Sequence, residues 1–282
     1  MKKALIMVPL IIWGLATFAQ KEYLPTTEDL KHFYTTKTYV VLDDSPLSAF
    51  NFEIKEVMPK VWNITDFEFI KQSEFPEKSK NPDASFIYTS LVSFERDRTD
   101  SRYVFLHLSL GGDNISMDDL RDLASLPLGY AGVDADSYVY KVGILLKFMQ
   151  KHVQLISDNP DLISNNIFKH YNKNIDDAQD KTVYFVEEEL SREIGTPARI
   201  KQIYPYKFKI VGREEIRQAI HNEEEDIVFL HKVGPEGKKL KARCYKILIG
   251  AGDANFYYFD YHMIKSRKPD GFLKSDLKKL SR

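Results

Sequence analysis

The hydrophobic and polar residues of this chain form short apolar runs of β type that alternate with amphipathic helical segments, and this order occurs twice. The first series predicts, in order, strand 38–42, helix 46–58, strand 67–70, short helix 73–80, strand 85–94 and strand 103–110. The second series predicts strand 183–186, helix 190–204, strand 207–211, helix 213–221, strand 226–232 and strand 241–249. Each series therefore predicts a β-α-β-α-β-β unit.

The order of elements within each unit determines the type of sheet. A strand, a helix and a second strand of the same sheet form a right-handed parallel crossover. The two closing strands are joined by short connections, 95–100 in the first unit and 234–237 in the second, and should pair antiparallel. The sequence thus predicts an α/β (α+β) fold of two related units with mixed sheets, joined by a helical insert.

The two units also resemble each other residue by residue, which predicts an internal repeat. Five blocks of similar sequence keep the same order: 37–44 with 181–188, 54–59 with 200–205, 67–70 with 208–211, 83–88 with 226–231, and 110–113 with 249–253. Chance similarity between strands rarely preserves so many blocks in one order. The repeat predicts architecture rather than chemistry.

The composition between the units sets the domain boundaries. The stretch 158–180 is rich in Asn and Asp and is predicted to be a polar linker. The predicted organisation is a lead-in segment at 20–36, a first repeat domain with the insert at 37–157, the linker at 158–180 and a second repeat domain at 181–282. In the lead-in, the Thr-Thr-Glu-Asp sequence at 26–29 predicts the cap of a short helix that runs through Leu30 and Phe33.

Three predicted elements lie outside the repeat. Residues 117–124 and 136–156 are predicted helices, and the second has an apolar face that we expect to cover the first sheet or the seam between the domains. Residues 255–264 form a strand with aromatic side chains on both faces and no counterpart of the same composition. This strand is typical of a core element, and an alternative use is a platform on which sugars stack.

The N-terminus predicts export. Lys2 and Lys3 precede an apolar run at 4–18, and small or neutral residues end it at Ala19, where we expect cleavage of a signal peptide at 1–19. The run is too short for a membrane span and contains proline and glycine. The mature chain is therefore expected to be periplasmic or secreted and to have no stable membrane span.

Composition narrows the chemistry that the chain is expected to perform. Cys244 is the only cysteine, so no intramolecular disulfide can form, and the net charge of −1 gives no general attraction to nucleic acid. None of the seven histidines has a partner at metal-ligand spacing on a helix, and several common catalytic and nucleotide-binding motifs are missing. We therefore expect no metal and no cofactor.

Acidic residues that follow glycine are the first candidates for a site. Asp113 and Asp253 both come after a glycine turn at the end of the fourth strand of their units. Such carboxylates can hold a cation, or act as a general acid and base if the two copies face each other. The alternative is a tight turn, in which glycine adopts positive φ and the aspartate bonds its own backbone.

Acidic residues that end the first strand of each unit are the second candidates. Asp43 and Asp44 follow the first strand of the first unit, and Glu187 follows that of the second. This end of an open α/β sheet is where ligands usually bind. The alternative is that these acids cap the helix that follows.

The signal that ends at 17–20, the low cysteine content and the duplicated Ile-Lys-x-x-x-Pro motif, at 54–59 and 200–205, resemble those of uncharacterised exported proteins of the Bacteroidetes type. The resemblance covers the signal and both repeats. It implies an exported protein, and it assigns no activity and no functional residue.

Two functions of different classes follow from these observations. The first is a non-enzymatic cell-envelope protein whose two domains bind a partner, either an envelope protein or a glycan, at their interface. The alternative is a hydrolase that uses paired carboxylates at that interface, which requires the acids to lie within about 5 to 10 Å of each other. A third possibility is an assembly component, which predicts an exposed apolar patch or an open sheet edge.

Overall fold

The computed structural model describes residues 24–45, 47–113, 120–164, 166–237 and 241–282 of the 282-residue chain. The predicted signal peptide at 1–19 lies outside these residues, as do positions 117–119 of one predicted helix. Among the described residues, no helix has both the length and the apolar character that a membrane crossing requires.

The described elements follow the predicted alternation of strands and helices. The strands are β1 (Lys37–Leu42), β2 (Phe67–Lys71), β3 (Ala84–Ser93), β4 (Arg102–Leu110), β5 (Arg121–Tyr130), β6 (Thr182–Phe185), β7 (Phe208–Ile210), β8 (Ile227–Val233), β9 (Arg243–Gly250) and β10 (Phe256–Met263). The helices are α1 (Thr27–Phe33), α2 (Ala49–Val61), α3 (Phe75–Lys78), α4 (Val142–Asp158), α5 (Phe168–Tyr171), α6 (Pro197–Lys201), α7 (Arg213–His221) and α8 (Lys274–Leu280). Short 3₁₀ helices connect several of them, including Glu187–Glu189 after β6.

The strands form two mixed five-stranded sheets, which confirms the predicted α/β fold of two units. The first has the order β2-β1-β3-β4-β5 and the second the order β7-β6-β8-β9-β10. In each sheet the first three strands in sequence are parallel and the last two pair antiparallel. The two sheets therefore have the same topology.

Equivalent backbone hydrogen bonds relate the two sheets to one another. The amide of Lys37 donates to Asp83, and the amide of Thr182 donates to Asp226 in the same place in the second sheet. Lys37 therefore corresponds to Thr182, one residue away from the sequence alignment with Lys181. The origin of both units by duplication stays a prediction.

A fifth strand in each sheet corrects the predicted unit. Residues 121–124 were expected to continue a helix, but they begin β5, which pairs with β4 from Leu110↔Arg121 to Tyr103↔Tyr130. This pairing satisfies the backbone at the sheet edge, and a short segment of mixed polarity does not distinguish helix from strand by periodicity. The aromatic strand β10 occupies the same position in the second sheet, so it does have a topological counterpart.

Two predicted helices differ from those in the structure. The first predicted helix was expected to end at residue 58, but α2 continues to Val61 with Pro59 inside it. The predicted helix 190–204 is reduced to the short α6, because Thr196 caps its start and Pro197 occupies its first turn. Proline at that position favours a new helix start over the continuation of an earlier one.

One hydrophobic cluster extends across both units, with α4 near its centre. Helix α4 packs against α2 and β5, and the ring of Phe148 stacks on Phe256 of β10 with centroids 3.5 Å apart. Helix α1 of the lead-in segment also joins this core, since Leu30 and Phe33 are completely buried. The apolar face of α4 thus covers the first sheet and also contacts the second.

Candidate functional site

An open strand edge lies in the first sheet, at the C-terminal end of β3, where β1 no longer pairs with it. The pairing of β1 with β3 ends at Val40↔Ile87, whereas the pairing of β3 with β4 continues to Ser93↔Arg102. Residues 88–93 of β3 therefore pair in register with β4 alone. Because successive backbone groups point to opposite sides of a strand, the N–H and C=O groups of Leu91 and Ser93 point away from β4.

A wide cleft of about 1370 Å³ borders this edge. Its walls are the end of β1, the start of α2, residues 88–93 of β3 and the turn 134–139 after β5. Two large apolar side chains of the cleft are exposed to solvent: Leu47 is 83% exposed and Leu91 is 57% exposed. Exposed apolar side chains beside an open edge are typical of a surface that binds another chain.

The cleft is acidic. Its described lining has no lysine or arginine, whereas five of its residues are carboxylates: Asp43, Asp44, Glu95, Asp134 and Asp136. All of them except Asp43 are exposed. Carboxylates gathered in a concave surface produce a negative potential that attracts cationic ligands.

The first of these acids also has a local structural role. The Oγ of Ser48, which caps α2, donates to Oδ2 of Asp43 at 2.6 Å, and the backbone amide of Asp43 donates to Oδ1 of Asn51 at 2.8 Å. The cap of α2 is therefore Ser48 rather than Asp43, and Asp43 supports that cap by accepting its hydroxyl proton. Asp44 is exposed and makes no ion pair within the described part of the chain.

A chain of polar side chains crosses β3, β4 and β5 beside the cleft. The Oγ of Ser90 lies 2.8 Å from Nε2 of His107, whose Nδ1 lies 2.6 Å from Oγ of Ser125. Ser125 in turn donates to Oδ2 of Asp122 at 2.5 Å, and Ser109 donates to Oδ1 at 3.3 Å. This network connects the cleft to a separate cavity on the far side of β5.

Burial shifts the pKa values of two members of this network. Desolvation lowers the pKa of His107 to about 4 and raises the pKa of Asp122 to about 6. His107 is therefore neutral near pH 7, where it can donate from one ring nitrogen and accept at the other. The sequence did not predict this network, because its members come together only through strand register.

The two predicted aspartates after glycine lie in turns at the ends of β4 and β9. Asp253 accepts a hydrogen bond from the amide of Asn255 at 2.8 Å and one from the hydroxyl of Tyr257, and it lies 3.5 Å from Nζ of Lys181. Asp113 is exposed in the corresponding turn of the other sheet. The structure thus places the two residues in different sheets, and Asp253 interacts mainly within its own turn.

The glycines of these turns are required for a reason other than the one expected. Positive φ was expected, but among the described residues the glycines with positive φ are Gly132, Gly237 and Gly271. A Cβ on Gly111 would instead overlap the carbonyl oxygen of Asn81 and lie 2.9 Å from that of Ser79. Close approach of the backbone therefore explains the glycine at this position.

Glu187, the remaining predicted site residue, and Cys244, the only cysteine, do not lie at the acidic cleft. Glu187 is exposed at the start of its 3₁₀ helix, in the second unit. Cys244 is buried, and burial raises the pKa of its thiol well above its usual range. In the described part of the chain, no group of three or more His, Cys, Asp or Glu side chains is arranged to hold a metal ion.

No protein-family model matches this chain, and neither a curated protein nor a solved structure shows significant similarity to it. Because no relative indicates a function, the acidic cleft and the open edge of β3 are the main structural indications of one.

Proposed function

We propose that this protein is a non-enzymatic binding protein whose acidic cleft holds an extended, basic segment of a partner protein. The segment adds a strand to residues 88–93 of β3, and its lysine or arginine side chains face the carboxylates of the cleft. The observation that carries this proposal is the position of the open edge inside a cleft whose described lining has no cation.

An extended basic segment would suit both the open edge of β3 and the acidic lining of the cleft. A strand added to a sheet edge gains affinity from main-chain hydrogen bonds and specificity from alternate side chains. The exposed Leu91 and Leu47 offer apolar contacts, while Asp44, Asp134 and Asp136 offer charge. The partner we propose is an envelope protein, because the predicted signal peptide would export this chain.

Calorimetry with synthetic peptides tests the proposal. A peptide of alternating lysine and leucine should bind, and the same peptide with glutamate in place of lysine should not. In the double variant D44N/D136N the affinity should fall roughly five- to thirtyfold, because exposed charge pairs contribute about 0.5–1 kcal/mol each.

A matched control distinguishes the effect of the cleft carboxylates from the effect of the protein's overall charge. The double variant D83N/D161N removes two exposed aspartates outside the cleft and should leave the affinity unchanged. Equal loss in both double variants, or equal binding of the lysine and glutamate peptides, would contradict the proposal. The paired-carboxylate hydrolase at the domain interface stays a prediction.

A further inference from the structure

A second cavity, of about 340 Å³, lies between β5, α4 and residues 162–164 and 167–171. Its lining is largely apolar and includes Leu126, Phe148, Ile156 and Phe168. This volume falls at the lower end of the range for small-molecule sites, about 300–1000 Å³, which combine apolar walls with a few placed polar groups. The cavity therefore has the size and the lining of a site for a small organic molecule.

Asp122 is an acidic residue of the lining of this cavity. Its two oxygens accept hydrogen bonds from Ser125 and Ser109, yet a carboxylate has about four acceptor positions. No lysine or arginine is present in the described lining. A carboxylate withdrawn from water without a cationic partner is costly, so a ligand that supplies a positive charge would be favoured here.

In the same lining, a histidine and a tyrosine contribute a second acceptor. The hydroxyl of Tyr171 lies 2.7 Å from Nδ1 of His152, and the ring of His152 also hydrogen-bonds the backbone of Leu123. With its other ring nitrogen donating to that carbonyl, Nδ1 accepts the Tyr171 proton, and the Tyr171 oxygen keeps a free lone pair. Asp122 and Tyr171 thus both favour a ligand that donates hydrogen bonds.

We propose that this cavity binds a small primary amine with an apolar body. The ammonium group pairs with the Asp122 carboxylate, and the apolar body packs against Phe148, Ile156 and Phe168. This site is separate from the cleft beside β3, so amine binding can be tested independently of the proposed peptide binding.

The pH dependence of binding follows from Asp122 and the groups around it. Ser109 on β4 and Ser125 on β5 hydrogen-bond Asp122, His107 hydrogen-bonds Ser125, and His152 and Tyr171 belong to the same lining. Burial lowers the pKa of His107 and of His152 to about 4 and raises that of Tyr171 above its usual range, so these groups stay neutral between pH 5 and 7. Burial raises the pKa of Asp122 to about 6, which lies within this interval.

The affinity for an amine should therefore rise with pH. Asp122 is mostly protonated at pH 5 and mostly ionised at pH 7, which predicts roughly tenfold tighter binding at pH 7 for a group that must be ionised. The corresponding alcohol does not need the charge, so its affinity should be the same at both pH values.

Titration calorimetry with 2-phenylethylamine and 2-phenylethanol, at pH 5 and pH 7, tests the proposal. The amine should bind more tightly than the alcohol at pH 7, and D122N should weaken amine binding at least tenfold while leaving alcohol binding unchanged. S164W, a substitution at an exposed position of the lining, should weaken both ligands, whereas D161N, just outside the lining, should affect neither.

An NMR titration of the Asp122 carboxyl in the unaltered protein provides a measurement that does not depend on a variant. Saturating amine should lower the pKa of this carboxyl below its value in the free protein, since the ammonium group favours the ionised form. An unchanged pKa, amine binding that is insensitive to pH and to D122N, or no binding of the amine at millimolar concentration would overturn the proposal.

Discussion

The Nε2 atom of His231 lies 2.8 Å from the carbonyl oxygen of Pro127, and this contact joins β8 of the second sheet to β5 of the first. His231 is completely buried, and desolvation, helped by the charge of Lys141, lowers its pKa to about 3. The His231 imidazole is therefore neutral and buried at the contact between the two units. Since a lost partner would leave a buried polar group unsatisfied, this contact ties the stability of each unit to the other.

The buried histidines should make the protein sensitive to mild acid. The pKa values of His231, His107 and His152 in the folded protein lie well below the ordinary value of about 6.5. The unfolded chain then binds more protons than the folded one in this range, so stability is complete above about pH 6.5 and is lost as pH falls towards 4. Asp122 opposes this trend, because a raised carboxyl pKa removes stability as pH rises through about 6.

Urea unfolding at a series of pH values measures this effect. The variant H231Q keeps a donor for Pro127 and removes one titrating group, so the slope of unfolding free energy against pH should fall by up to about 1.4 kcal/mol per pH unit between pH 6 and 4. The exposed His221 provides the control, and H221Q should leave the slope unchanged. Identical slopes for H231Q and the unaltered protein would show that His231 is not held neutral.

The buried pair of Lys141 and Glu189 should contribute strongly to stability when only one partner is removed. Their charged atoms lie 3.4 Å apart, and the side chains are 1% and 10% exposed. K141M removes the cation that hydrogen-bonds the buried Glu189 carboxylate and leaves only the more distant charges of Lys232 and Arg213, which predicts a loss of about 3–5 kcal/mol in unfolding free energy. The double variant K141M/E189L should lose much less.

Denaturant unfolding of both variants, with K60M as a control, tests this expectation. Lys60 pairs with Glu56 on the surface of α2, where both side chains are more than half exposed, so its removal should cost no more than about 0.5 kcal/mol. A single variant K141M that is no less stable than the double variant would contradict the electrostatic explanation.

Gly111, two residues before Asp113, should be intolerant of even one methyl group. In G111A the new Cβ would meet the backbone carbonyls of Asn81 and Ser79, which cannot move as a side chain can. We expect a loss of about 1–3 kcal/mol. In G195A the nearest atoms to the new Cβ are 3.6 Å or more away, so that variant should be as stable as the original or slightly more so. Thermal unfolding of the two variants gives the comparison, and equal melting temperatures would exclude the clash.

The sequence predicted the two-unit fold because most strands carry a strong local signal. The strands β1 and β3, for example, agree with prediction within two residues at either end. It did not predict β5, since residues 121–130 have mixed polarity and contain Pro127, and their conformation depends on pairing with β4. Tertiary pairing overrides a weak local preference in such segments.

The candidate site could be predicted only in part. The rule that ligands bind beyond the carboxyl ends of strands indicated Asp43 and Asp44, and both line the cleft. Asp134 and Asp136 also line the cleft, from a turn after β5. Because the sequence did not predict β5, it could not place these two acids at the cleft. The open edge of β3 has no sequence signal of its own, because it arises from the different lengths of two neighbouring strands.

Hydrogen exchange at individual amides of β3, measured by NMR with and without the lysine-leucine peptide, tests the proposed strand addition most directly. The amides of Leu91 and Ser93 point away from β4 and should become at least tenfold more protected when the peptide binds. The amides of Ser90 and Val92 point towards β4 and should change little. Peptide binding that leaves Leu91 and Ser93 exchanging at their original rates would contradict the proposal.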